Sequence, residues 1–193
     1  MALLDNIKKA KSKHHNQWRD KVTPDVVERE IKGVVLAIDP GTTESAFSLY
    51  DSDKHKLIEF GKINNEELLE RLEIFRYKTE HLAIEGLACY GSTVGASTFK
   101  TAYWIGRYWQ RWLDVKGDVK IIQRRAVKAW ITPGIKSNDS VIRKALIKMF
   151  PATGKDSKGK PSSIGTKKNP GPLYGVTKDV WSSTAIALTF CRK

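Results

Sequence analysis

The sequence predicts an α/β domain in which helices cover both faces of a five-stranded mixed sheet whose first three strands are antiparallel. Short apolar runs of strand length recur along the chain, and segments with helical apolar spacing separate the later runs. The 193 residues suffice for one domain with a proper core, but not for two large lobes. These observations favour a single layered domain over a bundle or a repeat.

The first three strands are predicted at 33–39, 45–51 and 56–63. Charged and turn-forming residues at 51–55 separate the second strand from the third, which is typical of a hairpin. A helix at 65–77 follows, because its leucines and Phe75 recur at helical spacing.

The later elements alternate between strand and helix. They are a buried strand at 80–85, a long helix from about 94 to 113, a strand at 119–123, helices around 125–131 and 139–150, and a final helix at about 177–190. Three hairpin strands, a helix, and then alternating strands and helices is the order of a ribonuclease H-like domain.

Two segments differ in composition from the main domain at 33–193. Residues 1–32 are rich in Lys and His and predict a basic, partly helical arm, although a solvated tail or a dimer strap fits them equally well. Residues 151–176 contain Pro, Gly, Ser and Lys without periodicity, which predicts a long basic loop.

The composition limits the partners and the compartment. A net charge of +13 favours nucleic acid as the partner, the alternative being a merely basic protein. The two cysteines, Cys89 and Cys191, have neither zinc-ligand nor disulfide-framework spacing, and this predicts a cytoplasmic protein. Neither a signal peptide nor a membrane span is expected, so a membrane is not a predicted partner.

Three acidic residues lie where an apolar run gives way to an open segment. Asp39 and Glu85 end predicted central strands, and Asp179 begins the last helix. Oxygen ligands of this kind suit Mg²⁺, and a hard cation beside a basic surface favours phosphodiester chemistry. Other interpretations stay open: a turn residue at Asp39, a buried arginine partner for Glu85 and a helix cap at Asp179.

Several motifs, in order and with sensible spacing, resemble the RuvC family of Holliday-junction resolvases. The four main motifs occupy 38–42, 83–86, 127–134 and 179–188, and segments 90–95 and 103–107 look most like the bacteriophage members. The resemblance covers about 33 to 190 and implies a homodimeric, Mg²⁺- or Mn²⁺-dependent endonuclease. Such an enzyme would nick opposing strands of a four-way junction.

The resemblance also implies roles for individual residues. The family's first two carboxylates fall on Asp39 and Glu85, and the acidic pair of its last helix falls on Asp179 and Ser182. A serine supplies a neutral hydroxyl where the family has a carboxylate, so we expect three carboxylate ligands and weaker metal affinity. Lys128 matches a family lysine that contacts DNA phosphate close to the site.

A broad basic surface is expected to contact the DNA backbone. The candidate DNA-binding residues are Arg124, Arg125, Lys128, Lys136, Arg143, Lys144 and, as a wedge at the branch point or a core residue, Tyr90. Lysines of the 151–176 loop are expected to form a clamp that is disordered until DNA binds. The aromatic residues at 103–112 are interpreted mainly as core and dimer interface rather than as base-stacking groups.

Three other functions are weighed against a junction resolvase. A phosphotransferase of the actin and sugar-kinase superfamily shares the loop after Asp39, but needs two lobes that this chain can hardly supply. A ribonuclease H-like module that binds branched DNA without cleaving it is favoured by Ser182 alone. A nuclease that also acts on forks and flaps is the third possibility.

Overall fold

The structure is a computed structural model. It describes residues 32–79, 81–88, 94–115, 118–135 and 138–192. The predicted arm at 1–32, apart from Lys32, therefore lies outside the described residues. Tyr90 and Lys136 lie outside them as well.

A five-stranded sheet forms the centre of the domain. Its strands are β1 (Val34–Asp39), β2 (Glu44–Asp51), β3 (Lys56–Asn64), β4 (His81–Gly86) and β5 (Asp118–Gln123). The strand order is β3-β2-β1-β4-β5, with antiparallel pairing within β1–β3 and parallel pairing of β4 with both β1 and β5. This mixed sheet confirms the predicted fold class.

Five described helices flank the sheet. They are α1 (Asn65–Phe75), α2 (Ala96–Val115), α3 (Arg124–Ile131), α4 (Asp139–Met149) and α5 (Val180–Phe190). The last helix begins three residues later than predicted, because a turn in which Val180 N–H donates to the Thr177 carbonyl precedes it. None of the described helices is both long and apolar enough to cross a membrane.

Successive residues of the central strand, β1, are buried on opposite faces of the sheet. Val35 and Ala37 of β1 pack with helices α3, α4 and α5, whereas Leu36 and Ile38 pack with α1 and α2. All four are fully buried. The continuous apolar sequence of β1 is thus explained by helices on both sides.

The 151–176 segment differs from the expected disordered clamp. It contains a small hairpin, β6 (Gly154–Lys155) and β7 (Pro161–Ser162), and packs on the main domain. The buried Ser163 hydroxyl donates to the carbonyls of Ile147 and Phe150, and Leu173 is fully buried. These anchors order a segment that lacks helical or strand periodicity. Its lysines at 155, 158, 160, 167 and 168 are exposed.

The aromatic residues of α2 divide between the core and the surface. Tyr108 and Trp112 are fully buried against α1 and the sheet, as predicted for core residues. Tyr103 is 60% exposed and Trp109 is 39% exposed, so these two rings are not part of the core.

Candidate active site

Asp39 lies at the carboxyl end of β1, where a tight turn through Pro40 and Gly41 leaves an open space beside its side chain. A side chain at Gly41 would clash with the Glu44 carbonyl oxygen, so this turn requires glycine. The Asn65 side chain donates to the Gly41 carbonyl over 3.1 Å and accepts from the Ser45 hydroxyl over 2.7 Å. These bonds fix the turn that follows Asp39.

Glu85 lies near the end of β4, next to β1 in the sheet. The parallel register pairs Ile38 with Ile84, so Asp39 and Glu85 come directly after a matched pair. Gly86 follows, and any side chain there would clash with Ile121 and Gln123 of β5. Strand pairing therefore brings two carboxylates together at one edge of the sheet.

The Asp39 carboxyl stays protonated at pH values well above those at which an aspartate ordinarily ionises. Burial, a hydrogen bond with the Glu85 side chain and the negative charge of Glu85 together raise the pKa of Asp39 to about 8. The charge of Asp179 acts in the same direction, whereas Arg124 opposes it. A neighbouring carboxylate makes ionisation of a second one less favourable, and here the proton stays on Asp39.

Arg124, the first residue of α3, supplies the positive charge nearest to Glu85. Its Nη1 donates to Glu85 Oε1 over 3.0 Å, and its Nη2 donates to the exposed Asp139 at the start of α4. The arginine thus connects the strand carboxylate to a second helix. Glu85 thus pairs with an arginine, as one open interpretation had it, although the Arg124 side chain is 39% exposed rather than buried.

Asp179 approaches the same edge from the residue before α5. Asp179 occupies the N-cap position of α5, but its side chain makes no capping hydrogen bond, so capping does not explain why an aspartate stands here. It accepts instead from Lys62 Nζ over 2.8 Å, and Lys62 also lies 3.7 Å from Glu44. The third carboxylate is close enough to raise the Asp39 pKa, but it has its own cationic partner.

Two cavities meet at Asp179, which contributes to the walls of both. The first, about 450 Å³, is formed by Asp39, the 40–44 turn, Lys62 and Asp179. The second, about 320 Å³, lies between α3, α4 and α5 and has both acidic and basic residues in its wall. Its lining includes Glu85, Arg124, Asp139, Arg143, Lys178, Asp179, Trp181 and Ser182.

The structure brings some of the sequence-predicted site residues together and leaves others apart. Asp39, Glu85, Asp179, Ser182, Arg124 and Arg143 line one or both cavities. Arg125 and Lys144 are exposed and line neither cavity. Lys128, one helical turn after Arg124, is half-buried and also lies outside both cavity linings.

Sequence reasoning missed Lys62 and Lys178 and did not foresee the partner of Asp139. Lys62 reaches the site through strand register, since it pairs with Ala46, which in turn pairs with Asp39. A correctly aligned hairpin could have revealed this neighbour. Lys178 stands next to Asp179, but its backbone conformation is not visible in the sequence.

The donor set of this edge suits a hard divalent cation. Asp39, Glu85 and Asp179 offer carboxylate oxygens, the ligands that Mg²⁺ and Mn²⁺ prefer. The raised pKa of Asp39 fits such an ion, because a bound cation would replace the proton that Asp39 carries. Among the described residues, however, no group of three or more acidic, His or Cys side chains is arranged to hold a metal.

Comparison with known proteins gives a match at the level of the fold. No protein-family model matches the chain, and no curated protein does. The RuvC structure from Thermus thermophilus matches with a TM-score of 0.52 and 17% identity, covering 81% of this chain and 92% of that one. T. thermophilus RuvC in complex with a Holliday junction substrate matches with a TM-score of 0.53 and 18% identity, covering 81% and 91%.

These matches agree with the sheet order and with the helices on both faces of the sheet. At such low identity, they establish the fold and no more. The chain has a ribonuclease H-like α/β fold of the kind found in RuvC.

Proposed function

We propose that this chain is a metal-dependent endonuclease that cleaves branched DNA, with the four-way Holliday junction as its main substrate. The observation that carries the proposal is the contact between Asp39 and Glu85, with Asp179 beside them, at one edge of a RuvC-like sheet. Like charges are placed this close together at a cost in stability that a structural role does not require. The +13 net charge suits a DNA substrate.

Asp39, Glu85 and Asp179 would hold Mg²⁺ or Mn²⁺. When bound, such ions activate a water for attack on the phosphodiester and stabilise the leaving 3′ oxygen. Ser182, at the wall of the second cavity, offers a hydroxyl that can accept or donate a hydrogen bond but brings no charge.

The neighbouring cations have supporting roles in this proposal. Lys62 would hold Asp179 at the cavity that contains Asp39, because it lines that cavity and donates to Asp179 Oδ2. Arg124 neutralises Glu85 and points a second N–H group at α4. Arg125, Lys128, Arg143 and Lys144 would contact DNA phosphates around the site, Lys128 in the role of the family lysine that it matches.

The assembly proposed is a homodimer, since a four-way junction presents two equivalent strands for nicking. Apolar side chains exposed along α2 are a suitable surface for a second copy of the chain. They include Phe99, Tyr103, Trp109 and Leu113. We further propose a bacteriophage-type enzyme that works in the cytoplasm, where its DNA substrate is, and that also accepts forks and flaps.

Cleavage of a labelled four-way junction, compared with a linear duplex of the same sequence, tests the proposal. With Mg²⁺ or Mn²⁺ present, we expect nicking of the junction at a rate at least about tenfold above that of the duplex. Equal cleavage of both substrates, or none of either by wild type and Ser182→Asp, would contradict it.

A second candidate function is a module that binds branched DNA without cleaving it. It is favoured by Ser182 and by the ion pairs of Arg124 with Glu85 and Lys62 with Asp179, which neutralise two of the three carboxylates without a metal. Ser182→Asp separates the two functions. Tight binding by both forms, with cleavage only by the variant, would identify a disabled resolvase.

A further inference from the structure

Lys178 has a backbone conformation that lysine rarely adopts. Its φ angle is +44°, in the left-handed region, and it directly precedes Asp179. Three residues earlier the chain uses glycine for a similar conformation, at Gly175 with φ +86°. Glycine has no steric cost in this region, whereas a lysine does, because its Cβ crowds the backbone. The presence of lysine at this position therefore calls for an explanation.

The other described residue with this property, His55, has such a reason in its own contacts. Its ring bonds the Tyr50 hydroxyl through Nδ1 and the Met149 carbonyl through Nε2, and it stacks on Phe150. The side chain of Lys178 has no comparable hydrogen bond or ion pair with another residue in the part of the chain that the structure describes. Local packing therefore explains His55, but not Lys178.

The position of Lys178 gives a functional explanation. It lines the 320 Å³ cavity, together with Arg124 and Arg143. The lining also includes the apolar side chains of Val127, Ile142 and Trp181, each less than 8% exposed. The carboxylates of the same lining already have partners, since Glu85 and Asp139 pair with Arg124 and Asp179 pairs with Lys62. Lys178 and Arg143 therefore leave positive charge beside apolar side chains, which suits a charged group attached to an apolar ring, as in one nucleotide of a DNA strand.

The two lysines beside Asp179 are in different states. Lys62, in the first cavity, is held by Asp179 and Glu44. Lys178, in the second, is exposed and lacks a carboxylate partner among the described residues. The guanidinium of Arg143 lies over the Trp181 ring, 5.1 Å from the ring centre. In this position its N–H groups can still donate hydrogen bonds to a ligand at the edge of the ring. Lys178 and Arg143 together could hold one phosphate.

We propose that Lys178 binds a DNA backbone phosphate next to the scissile one, in the 320 Å³ cavity, which shares Asp179 with the cavity of Asp39. This rests on the proposed endonuclease function. The scissile phosphodiester would lie over Asp39 and Glu85, and the adjoining nucleotide would enter the second cavity. The left-handed conformation directs the lysine into that cavity, which explains why glycine does not occupy the position.

Three variants test this, with junction binding measured at several salt concentrations and thermal unfolding measured in parallel. Lys178→Gly removes both the charge and the backbone strain, so we expect affinity to fall about three- to tenfold and the salt slope by about 0.9. The melting temperature should be unchanged or higher. Lys178→Arg keeps the charge and should bind like wild type. Lys56→Gln, a charge loss on an exposed residue at the other end of the sheet, is the matched control and should leave the affinity within about twofold.

The outcomes separate this proposal from the function on which it rests. If wild type neither binds nor cleaves the junction, the proposed function fails and the phosphate contact fails with it. If wild type is active and Lys178→Gly binds equally well, only the phosphate contact is overturned. A lower melting temperature for Lys178→Gly, or binding by Lys178→Arg as weak as that of the glycine variant, would also overturn it.

Discussion

Two aspartates at opposite ends of the β1–β2 pair have opposite electrostatic environments. Asp51 ends β2 opposite Val34, is 5% exposed, and accepts hydrogen bonds from the backbone of Asp53 and from the backbone and Nζ of Lys54. Although burial opposes ionisation, these bonds and the Lys54 charge lower the pKa of Asp51. Asp39, at the other end, has Glu85 as its hydrogen-bond partner and a pKa raised to about 8.

The difference distinguishes a structural carboxylate from a candidate catalytic one. Asp51 is surrounded by donors that satisfy its charge and stabilise a turn. Asp39 lies against another acid and is satisfied only when a proton, or an ion added from outside, lies between them. Burial and position at a strand end are common to both, so neither property identifies the functional group.

The largest expected effect is on cleavage. Asp39→Asn removes a proposed metal ligand and should lower junction cleavage to below about one-thousandth of the wild-type rate, with junction binding retained. Asp51→Asn should cleave at close to the wild-type rate under conditions where it is folded. Comparable losses in both variants would show that the contrast between the two aspartates has no functional meaning.

The same two variants should have opposite effects on stability at pH 8. Asp51→Asn loses charge-assisted hydrogen bonds, which should lower the free energy of unfolding by about 1 kcal/mol. Asp39→Asn removes a group that resists ionisation beside Glu85. The free energy of unfolding should therefore rise by about 1 kcal/mol or more. Urea unfolding without metal measures both.

The pH dependence of those unfolding curves sharpens the result. Since the folded pKa of Asp39 lies above its ordinary value of 3.8, the wild type should lose stability as pH rises from about 4 to about 8. The lowered pKa of Asp51 gives the reverse sign, with stability lost as pH falls below about 4. Asp39→Asn should remove the first slope and Asp51→Asn the second. An unchanged slope between pH 4 and 8 in Asp39→Asn would show that Asp39 is not the group responsible.

The smallest expected effect is stabilisation by metal. Mg²⁺ or Mn²⁺ at twice its dissociation constant should stabilise the wild type by about 0.65 kcal/mol, a rise in melting temperature of about 1–3 °C. Asp51→Asn should show the same increment, because Asp51 lies at the other end of the strands from the proposed ligands. Asp39→Asn should show a clearly smaller one. An equal rise in Asp39→Asn would place the bound metal elsewhere.

Local sequence was sufficient to predict the five strands of the main sheet, the described helices and the place of the carboxylates at the ends of these elements, but not the small β6–β7 hairpin. Burial on both faces produces the continuous apolar run that ends at Asp39, and Glu85 ends a similar run. Helical spacing of Leu68, Leu72 and Phe75 predicts α1 because all three face one core. These patterns are short-range consequences of backbone geometry, so one sequence suffices to recognise them.

Only the tertiary structure decided which charges meet. Arg124 reaches Glu85 across 39 residues of sequence, and Lys62 reaches Asp179 across 117. Strand register and helix packing determine such pairs, and neither leaves a local pattern. The ordering of the 151–176 segment through Ser163 and Leu173 likewise depends on surfaces formed by distant parts of the chain. The sequence by itself thus determined where the acidic groups lie, and the folded chain decided how each one is neutralised, because Coulomb interactions depend on distance in space rather than along the chain.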